Sequence, residues 1–214
     1  MVILNYSKRL YLISLFILIL ISLTFLIGLN TLNQYWFTVL TPYVIILTAI
    51  LVLLNHREWN RYFAIFFVIT CLAGYLAELT GVETGLLFGR YTYGNILGYK
   101  VYGIPVVAGL CWFLMVYSSG MVANLFKYRI FIKALIGALL MVIIDFSMEP
   151  VAVHLDLWSW QDSIVPWHNY IGWFLGGFFL NLYFQQLELK KANRLAVALF
   201  IILWITFLVL SYTL

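Results

Sequence analysis

The sequence predicts an all-α polytopic membrane protein with about seven transmembrane helices. Hydrophobic residues make up 65% of the chain and charged residues only 9%, and the mean hydropathy is +1.03. A soluble domain carries about 25% charged residues. We therefore expect residues 1–214 to form a single transmembrane domain. The net charge of +4 comes from Lys and Arg that flank the apolar segments, so it does not indicate a nucleic-acid partner.

Seven apolar windows have the length of about 20 residues that crosses roughly 30 Å of hydrocarbon. They cover residues 10–28, 36–54, 62–80, 101–126, 130–148, 169–187 and 195–213. The first window follows Lys8 and Arg9 as a signal peptide would, but its apolar run is too long and no small-residue cleavage site follows. We expect it to remain as a helix.

Basic residues predict the orientation of these helices. Of the 12 Lys and Arg residues, only Arg90 and Lys100 fall on one side of the predicted membrane. Cytoplasmic connections carry the excess of Lys and Arg. The amino terminus is therefore predicted to be cytoplasmic and the carboxyl terminus outside. Most of the acidic residues lie in the outer half, which is where we expect any chemistry.

Two segments of the chain repeat each other. Glu78 precedes two tyrosines by 13 and 15 residues, and Asp145 precedes two tryptophans by the same intervals; the four aromatic residues are Tyr91, Tyr93, Trp158 and Trp160. Further along, Pro105 and Trp112 match Pro166 and Trp173 with equal spacing. We therefore predict a parallel repeat of residues 62–126 and 130–187, in which helices 3 and 4 correspond to helices 5 and 6. A parallel repeat implies a pseudo-twofold axis along the membrane normal, with a site between its halves.

Carboxyl groups at membrane depth are costly and usually functional. Asp145 and Glu149 are one helical turn apart, on nearly one face. Burial raises the pKa of a carboxyl group, so such an acid can stay protonated at neutral pH. It could then protonate a trisubstituted double bond, because aromatic faces stabilise the resulting carbocation and a neighbouring carboxylate orients water. The product would be a tertiary alcohol.

Other chemistries are disfavoured. The last apolar window contains no Lys that could form a retinal Schiff base, and the three histidines are too few for a di-iron hydroxylase. No Gly-rich phosphate loop, Cys cluster or Ser nucleophile motif is visible. His154 and His168 flank the aromatic loop and are better explained as hydrogen-bonded loop residues than as metal ligands. We expect no metal site.

Five motifs resemble the membrane carotenoid hydratase family, which includes the gamma-carotene 1'-hydratase and bisanhydrobacterioruberin hydratase enzymes. They are F-G-R-Y-T-Y-G from Phe88, G-I-P from Gly103, D-x-x-x-E-P from Asp145, W-S-W from Trp158 and N-Y-I-G-W-F from Asn169. The resemblance covers roughly residues 60–187. It implies cofactor-free addition of water across the terminal double bond of an acyclic carotenoid that lies in the bilayer. Other carotenoid biosynthesis enzymes are then candidate partners. Arg90 departs from the first motif, where the family would have proline.

Roles for individual residues come from the chemistry and the spacing. Asp145 and Glu78 are candidate general acids, and Glu149 and Glu83 are candidates to orient water. Candidate substrate contacts comprise aromatic side chains that could stabilise a cation or line a polyene channel, together with three polar residues: Tyr91, Tyr93, Trp112, Trp158, Trp160, Trp173, His154, His168 and Asn169.

Two other functions remain open at this point. A carotenoid end-group cyclase would begin with the same protonation but exclude water. A non-enzymatic lipid carrier or a proton-coupled transporter could also use paired acids between two repeats. Analysis of the product distinguishes the hydratase from the cyclase.

Overall fold

The computed structural model describes residues 2–31 and 33–214, with side chains described for residues 8–31 and 33–214. These residues form eight helices and four short strands. The helices are α1 Val2–Leu29, α2 Gln34–Val39, α3 Thr41–Leu54, α4 Arg61–Thr84, α5 Val107–Ala123, α6 Ile130–His154, α7 Trp167–Gln186 and α8 Arg194–Thr213. The strands are β1 Tyr91–Tyr93, β2 Lys100–Val101, β3 Ile104–Pro105 and β4 Trp158–Trp160.

The fold is mostly helical, as predicted. Among the described residues, four helices are long and apolar enough to cross a membrane: Lys8–Leu29 within α1, then α4, α6 and α8. α3 and α5 are apolar but shorter, with 14 and 17 residues. α7 has 20 residues, but its buried amides, among them Asn169 and Asn181, lower its hydropathy. Each predicted window contains a helix, whereas the number of spans and their orientation stay predictions.

The predicted window 101–126 begins too early. Its first residues form a hairpin of β2 and β3, and α5 starts only at Val107. Tyr102 and Gly103 connect the two strands with φ angles of 48° and 77°. Two consecutive residues in the left-handed region are what a two-residue hairpin turn requires. An apolar composition does not reveal this turn, because Val, Tyr and Ile suit strands as well as helices.

Two other helices run further than their windows. α4 continues to Thr84 and ends where Gly85 takes a left-handed φ of 70°. α6 continues through Pro150 to His154. Both extensions lie at the end of the bundle where β1 and β4 are found, which we call the strand end. The second extension places Glu149 on the same helix as Asp145, as their spacing predicts.

β1 and β4 pair with each other and join the two long connections of the chain. They are antiparallel, with Tyr91 opposite Trp160, Thr92 opposite Ser159 and Tyr93 opposite Trp158. Side chains alternate between the two faces of a strand. The central hydroxyls of Thr92 and Ser159 lie 3.2 Å apart on the exposed face, so the four aromatic side chains lie on the face toward the helices. We call β1 and β4 the strand pair.

α5 lies in the middle of the bundle and contacts α4, α6, α7 and α8. The core around it is aromatic: Phe63 and Phe66 of α4, Phe113 of α5 and Phe184 of α7 are fully buried. Gly74 allows the Trp112 ring to lie directly against the backbone of α4, where a Cβ would clash. Packing of this kind, rather than the hydrophobic effect, holds helices together in lipid. It brings the carboxyl groups of α4 and α6 toward one space beneath the strand pair.

Candidate active site

A cavity of about 80 Å³ lies at the strand end, between α4, α5, α6, α7 and the strand pair. Most of its wall is apolar or aromatic, and two carboxyl groups and one amide face it. Its lining residues are Glu78, Phe88, Tyr91, Tyr93, Leu97, Val107, Ala108, Cys111, Trp112, Met148, Glu149, Trp158, Trp160, Asn169 and Trp173. Apolar walls with a few convergent polar groups are typical of ligand sites.

Glu78 of α4 is held by three donors. Its Oε2 atom accepts hydrogen bonds from the hydroxyls of Tyr91 and of Tyr93, the latter at 2.8 Å. Its Oε1 atom accepts one from the indole Nε1 of Trp112 at 2.7 Å. The side chain is only 6% exposed. Both oxygens of this buried acid are therefore paired, as a buried polar group requires.

Glu149 of α6 has a matching set of donors. Its Oε2 atom accepts hydrogen bonds from the indole Nε1 atoms of Trp158 at 3.1 Å and Trp160 at 2.8 Å. Its Oε1 atom accepts one from Nδ2 of Asn169 at 3.2 Å. Each half of the strand pair thus supplies two aromatic donors to the carboxyl group of a nearby helix. Two carboxyl groups with fixed oxygens face one cavity.

Asp145 lies behind Asn169 and does not line the cavity. It is fully buried, and its Oδ2 atom accepts a hydrogen bond from Nδ2 of Asn169 at 2.7 Å. Its Oδ1 atom has no hydrogen-bond partner among the described residues. Asn169 uses both hydrogens of its amide group, one toward Asp145 and one toward Glu149. The amide therefore links the two acids of α6.

Aromatic faces surround the carboxyl groups. The rings of Trp112 and Trp173 stack with their centroids 4.4 Å apart and their planes 3° from parallel. Phe88 lies 6.2 Å from the first ring and 6.3 Å from the second. The negative face of an aromatic ring attracts a cation. A positive charge that forms in this cavity would be stabilised by these ring faces.

The two phenols of the strand pair stay neutral. Burial raises the pKa of Tyr91 and of Tyr93 above the ordinary value of 10.0, and the charge of Glu78 raises both further. For Tyr91 the charge of Glu149 also contributes. Both hydroxyls therefore keep their protons at neutral pH and can donate to Glu78.

A family model described as a carotenoid biosynthesis protein matches residues 37–214, a range that includes every residue lining the cavity. The chain belongs to the carotenoid biosynthesis protein family. Bisanhydrobacterioruberin hydratase from Haloarcula japonica is 31% identical over 114 residues, which make up 50% of this chain and 39% of that protein. The chain thus matches less than two thirds of the length of this curated relative. No solved structure matches the chain. The resemblance predicted from the five motifs is confirmed.

The structure brings most of the residues predicted for the site together around the cavity. Nine of them line the cavity: Glu78, Tyr91, Tyr93, Trp112, Glu149, Trp158, Trp160, Asn169 and Trp173. Asp145 touches the site through Asn169. The structure does not bring the remaining three candidates to the cavity.

Glu83, His154 and His168 are exposed at the strand end. Glu83 follows Glu78 by five residues, which turns its side chain about 140° away around the helix. His154 is the last residue of α6 and lines a separate open groove. His168 stacks on Trp167 with ring centroids 4.0 Å apart. All three side chains therefore lie outside the cavity.

Six lining residues were not predicted: Phe88, Leu97, Val107, Ala108, Cys111 and Met148. Two of these residues could have been identified from the sequence. Ala108 precedes Trp112 by four residues and shares its helix face, and Phe88 begins the first motif. Leu97 belongs to a long irregular connection, so only tertiary structure places it in the wall.

Proposed function

We propose that this protein is a carotenoid 1,2-hydratase. It adds water across the terminal double bond of an acyclic carotenoid end group, without a cofactor, while the substrate lies in the cytoplasmic membrane of a prokaryote. The family and the hydratase name of the relative support this class. The observation that carries the proposal is the cavity itself, in which two buried, fully paired carboxyl groups face one apolar, aromatic space.

The first step is protonation of the double bond. Glu78 transfers its proton to the CH carbon, and the π electrons form the new C–H bond. Positive charge then develops on the carbon that carries the two methyl groups. The stacked rings of Trp112 and Trp173 and the ring of Phe88 stabilise this charge. Donors from Tyr91 and Trp112 stabilise the Glu78 carboxylate that remains.

The second step is capture of the cation by water. Glu149 accepts a hydrogen bond from the water and takes its proton as the new C–O bond forms, so the product is a tertiary alcohol. Asn169 fixes the position of the Glu149 oxygen, since its amide binds Oε1. Asp145 acts through Asn169 as a positioning residue. General base catalysis of this kind contributes about 10²–10⁴ in rate.

The test is product analysis in a host that makes lycopene and gamma-carotene, with and without this protein, in ordinary and oxygen-18 water. We expect a product heavier than its substrate by one water whose oxygen comes from the solvent. An isomer of unchanged mass would replace the proposal by a cyclase. Oxygen that does not come from solvent would exclude hydration.

We also propose that the chain crosses the membrane seven times, with the amino terminus in the cytoplasm, and that residues 62–126 and 130–187 are repeats. The strand pair supports the repeat, because β1 and β4 have equal length and pair about their central residues. The stacking of Trp112 on Trp173, which are equivalent residues of the two units, supports it as well. Labelling of single cysteines placed at Ser159 and at Lys190 tests the orientation: only the first should react with an impermeant reagent added to intact cells.

A further inference from the structure

The two carboxyl groups of the cavity are held by chemically different donors. Glu78 is bound by the phenol hydroxyls of Tyr91 and Tyr93 in addition to one indole. Among the described residues, Glu149 is bound by N–H groups alone, from two indoles and an amide. A hydroxyl can accept one proton while it passes another on, whereas indole and amide N–H groups only donate. The Glu78 side can therefore relay a proton, and the Glu149 side cannot.

The proposed hydration makes such a relay necessary. After one turnover Glu78 has lost its proton to carbon, and Glu149 has gained one from water. The next cycle requires the opposite protonation states, with Glu78 protonated and Glu149 ionised. Both side chains are buried, so exchange with bulk water is restricted while the cavity is covered by the strand pair. A path from Glu149 to Glu78 through the cavity would restore both.

Tyr91 lies between the two groups. Its hydroxyl binds Glu78, and its ring lies 5.1 Å from the ring of Trp160, whose Nε1 binds Glu149. The side chain lines the cavity and is 7% exposed. Tyr93 binds the same Glu78 oxygen, but its ring lies 6.2 Å from that of Trp158 at the far end of the strand pair. Tyr91 is therefore better placed to receive a proton that leaves Glu149.

We propose that Tyr91 returns the proton to Glu78 after each turnover, an inference that rests on the proposed hydratase function. Protonated Glu149 gives its proton to a water in the cavity, that water gives one to the Tyr91 oxygen, and Tyr91 gives its own to Glu78. One O–H bond breaks and one forms at the water and at the phenol. The step leaves Glu149 ionised, Glu78 protonated, and both carriers unchanged.

The relay proceeds without a tyrosinate intermediate. Burial raises the pKa of Tyr91, and the charges of the two carboxyl groups raise it further. A free phenolate is thus disfavoured, and the proton must arrive as the other leaves. For this reason the hydroxyl itself is needed, and the aromatic ring alone does not suffice.

Replacing Tyr91 by Phe separates the first turnover from the later ones. Purified protein in lipid nanodiscs is mixed with an excess of an acyclic carotenoid, the reaction is quenched over time, and hydrated product is counted per protein molecule. Because Tyr91 also donates to the Glu78 carboxylate, we expect Y91F to make its first product more slowly than the wild type, and its later turnovers to be slower than that first one by about a further 100-fold. The matched control is Y93F, which loses the other phenol on the same oxygen. It should keep the wild-type ratio of steady-state to first-turnover rate.

An equal reduction of the first-turnover rate and the steady-state rate in Y91F, or no reduction of either rate, would overturn the relay. A second variant carries 2,3-difluorotyrosine at position 91, which keeps the ring and hydroxyl but has a more acidic phenol. It should restore repeated turnover and move the pH profile of the steady-state rate to lower pH, and an unchanged profile would contradict the proposal. A wild-type protein that hydrates no acyclic carotenoid would refute the hydratase function itself, which distinguishes that failure from failure of the relay.

Discussion

Replacing Glu78 by Gln removes the proposed acid with little change in shape. Gln has nearly the size of Glu and one acceptor oxygen, but it has no proton to transfer. In the wild type both oxygens of Glu78 accept, two bonds at Oε2 and one at Oε1. The amide nitrogen of Gln cannot accept, so at least one of these three bonds is lost.

The expected costs in stability and in rate differ. Glu78 is protonated before the reaction, so loss of one hydrogen bond to it destabilises the fold by about 1 kcal/mol, which is less than the usual stability of a folded protein of about 5–15 kcal/mol. Loss of the general acid lowers the rate at least about 100-fold, which corresponds to about 2.7 kcal/mol in the activation barrier. The variant should therefore fold and insert normally, but its hydration rate should fall by this factor.

The assay follows incorporation of oxygen-18 from water into the carotenoid product in membrane vesicles, with the amount of inserted protein measured in parallel. Glu83→Gln is the matched control, because it makes the same chemical change on the same helix at an exposed position. It should retain wild-type activity. Hydration by E78Q at the wild-type rate would refute the assignment of Glu78 as the acid.

Three further variants test the surroundings of the cavity. Asp145→Asn keeps an acceptor for Asn169, so we expect a loss of only about 1 kcal/mol in the activation barrier, or roughly fivefold in kcat; complete inactivation would place Asp145 in the chemistry itself. Trp173→Leu removes the ring stacked on Trp112 and should raise the barrier by about 1–2 kcal/mol, measured as kcat with KM followed separately. Burial lowers the pKa of His56 below 6.5, so the unfolded chain binds a proton at higher pH than the folded chain does. Thermal stability in detergent should be full above about pH 6.5 and should fall as the pH drops below it, and H56Q should weaken this dependence.

The spacing that indicated the repeat also corresponds to direct contacts in its first half. The intervals of 13 and 15 residues connect Glu78 to Tyr91 and Tyr93, and the structure shows both hydrogen bonds. The intervals correspond to contacts because each one runs from a residue near the end of α4 to a residue of the short strand β1. Apolar windows also located the helices, since lipid requires long apolar segments.

The equivalent intervals in the second half do not correspond to hydrogen bonds with Asp145. Asp145 precedes Trp158 and Trp160 by 13 and 15 residues, yet both indoles bind Glu149, one turn further along α6. The reason is local: α6 continues through Pro150 to His154, so the acid nearest to the strand pair is the later one. Helix ends are poorly determined by composition, and an error of one turn exchanges one carboxyl group for another.

The stacked rings of Trp112 and Trp173 form part of the cavity wall, and the side chains of Phe113, Phe66 and Phe184 are fully buried in the interior of the bundle. A linear chain cannot pass through such a packed interior. It must back out by the opening through which it entered, so a carotenoid with two acyclic ends has to leave, turn around and bind again before its second end can react. Under the proposed function, the singly hydrated molecule is thus a released product in its own right.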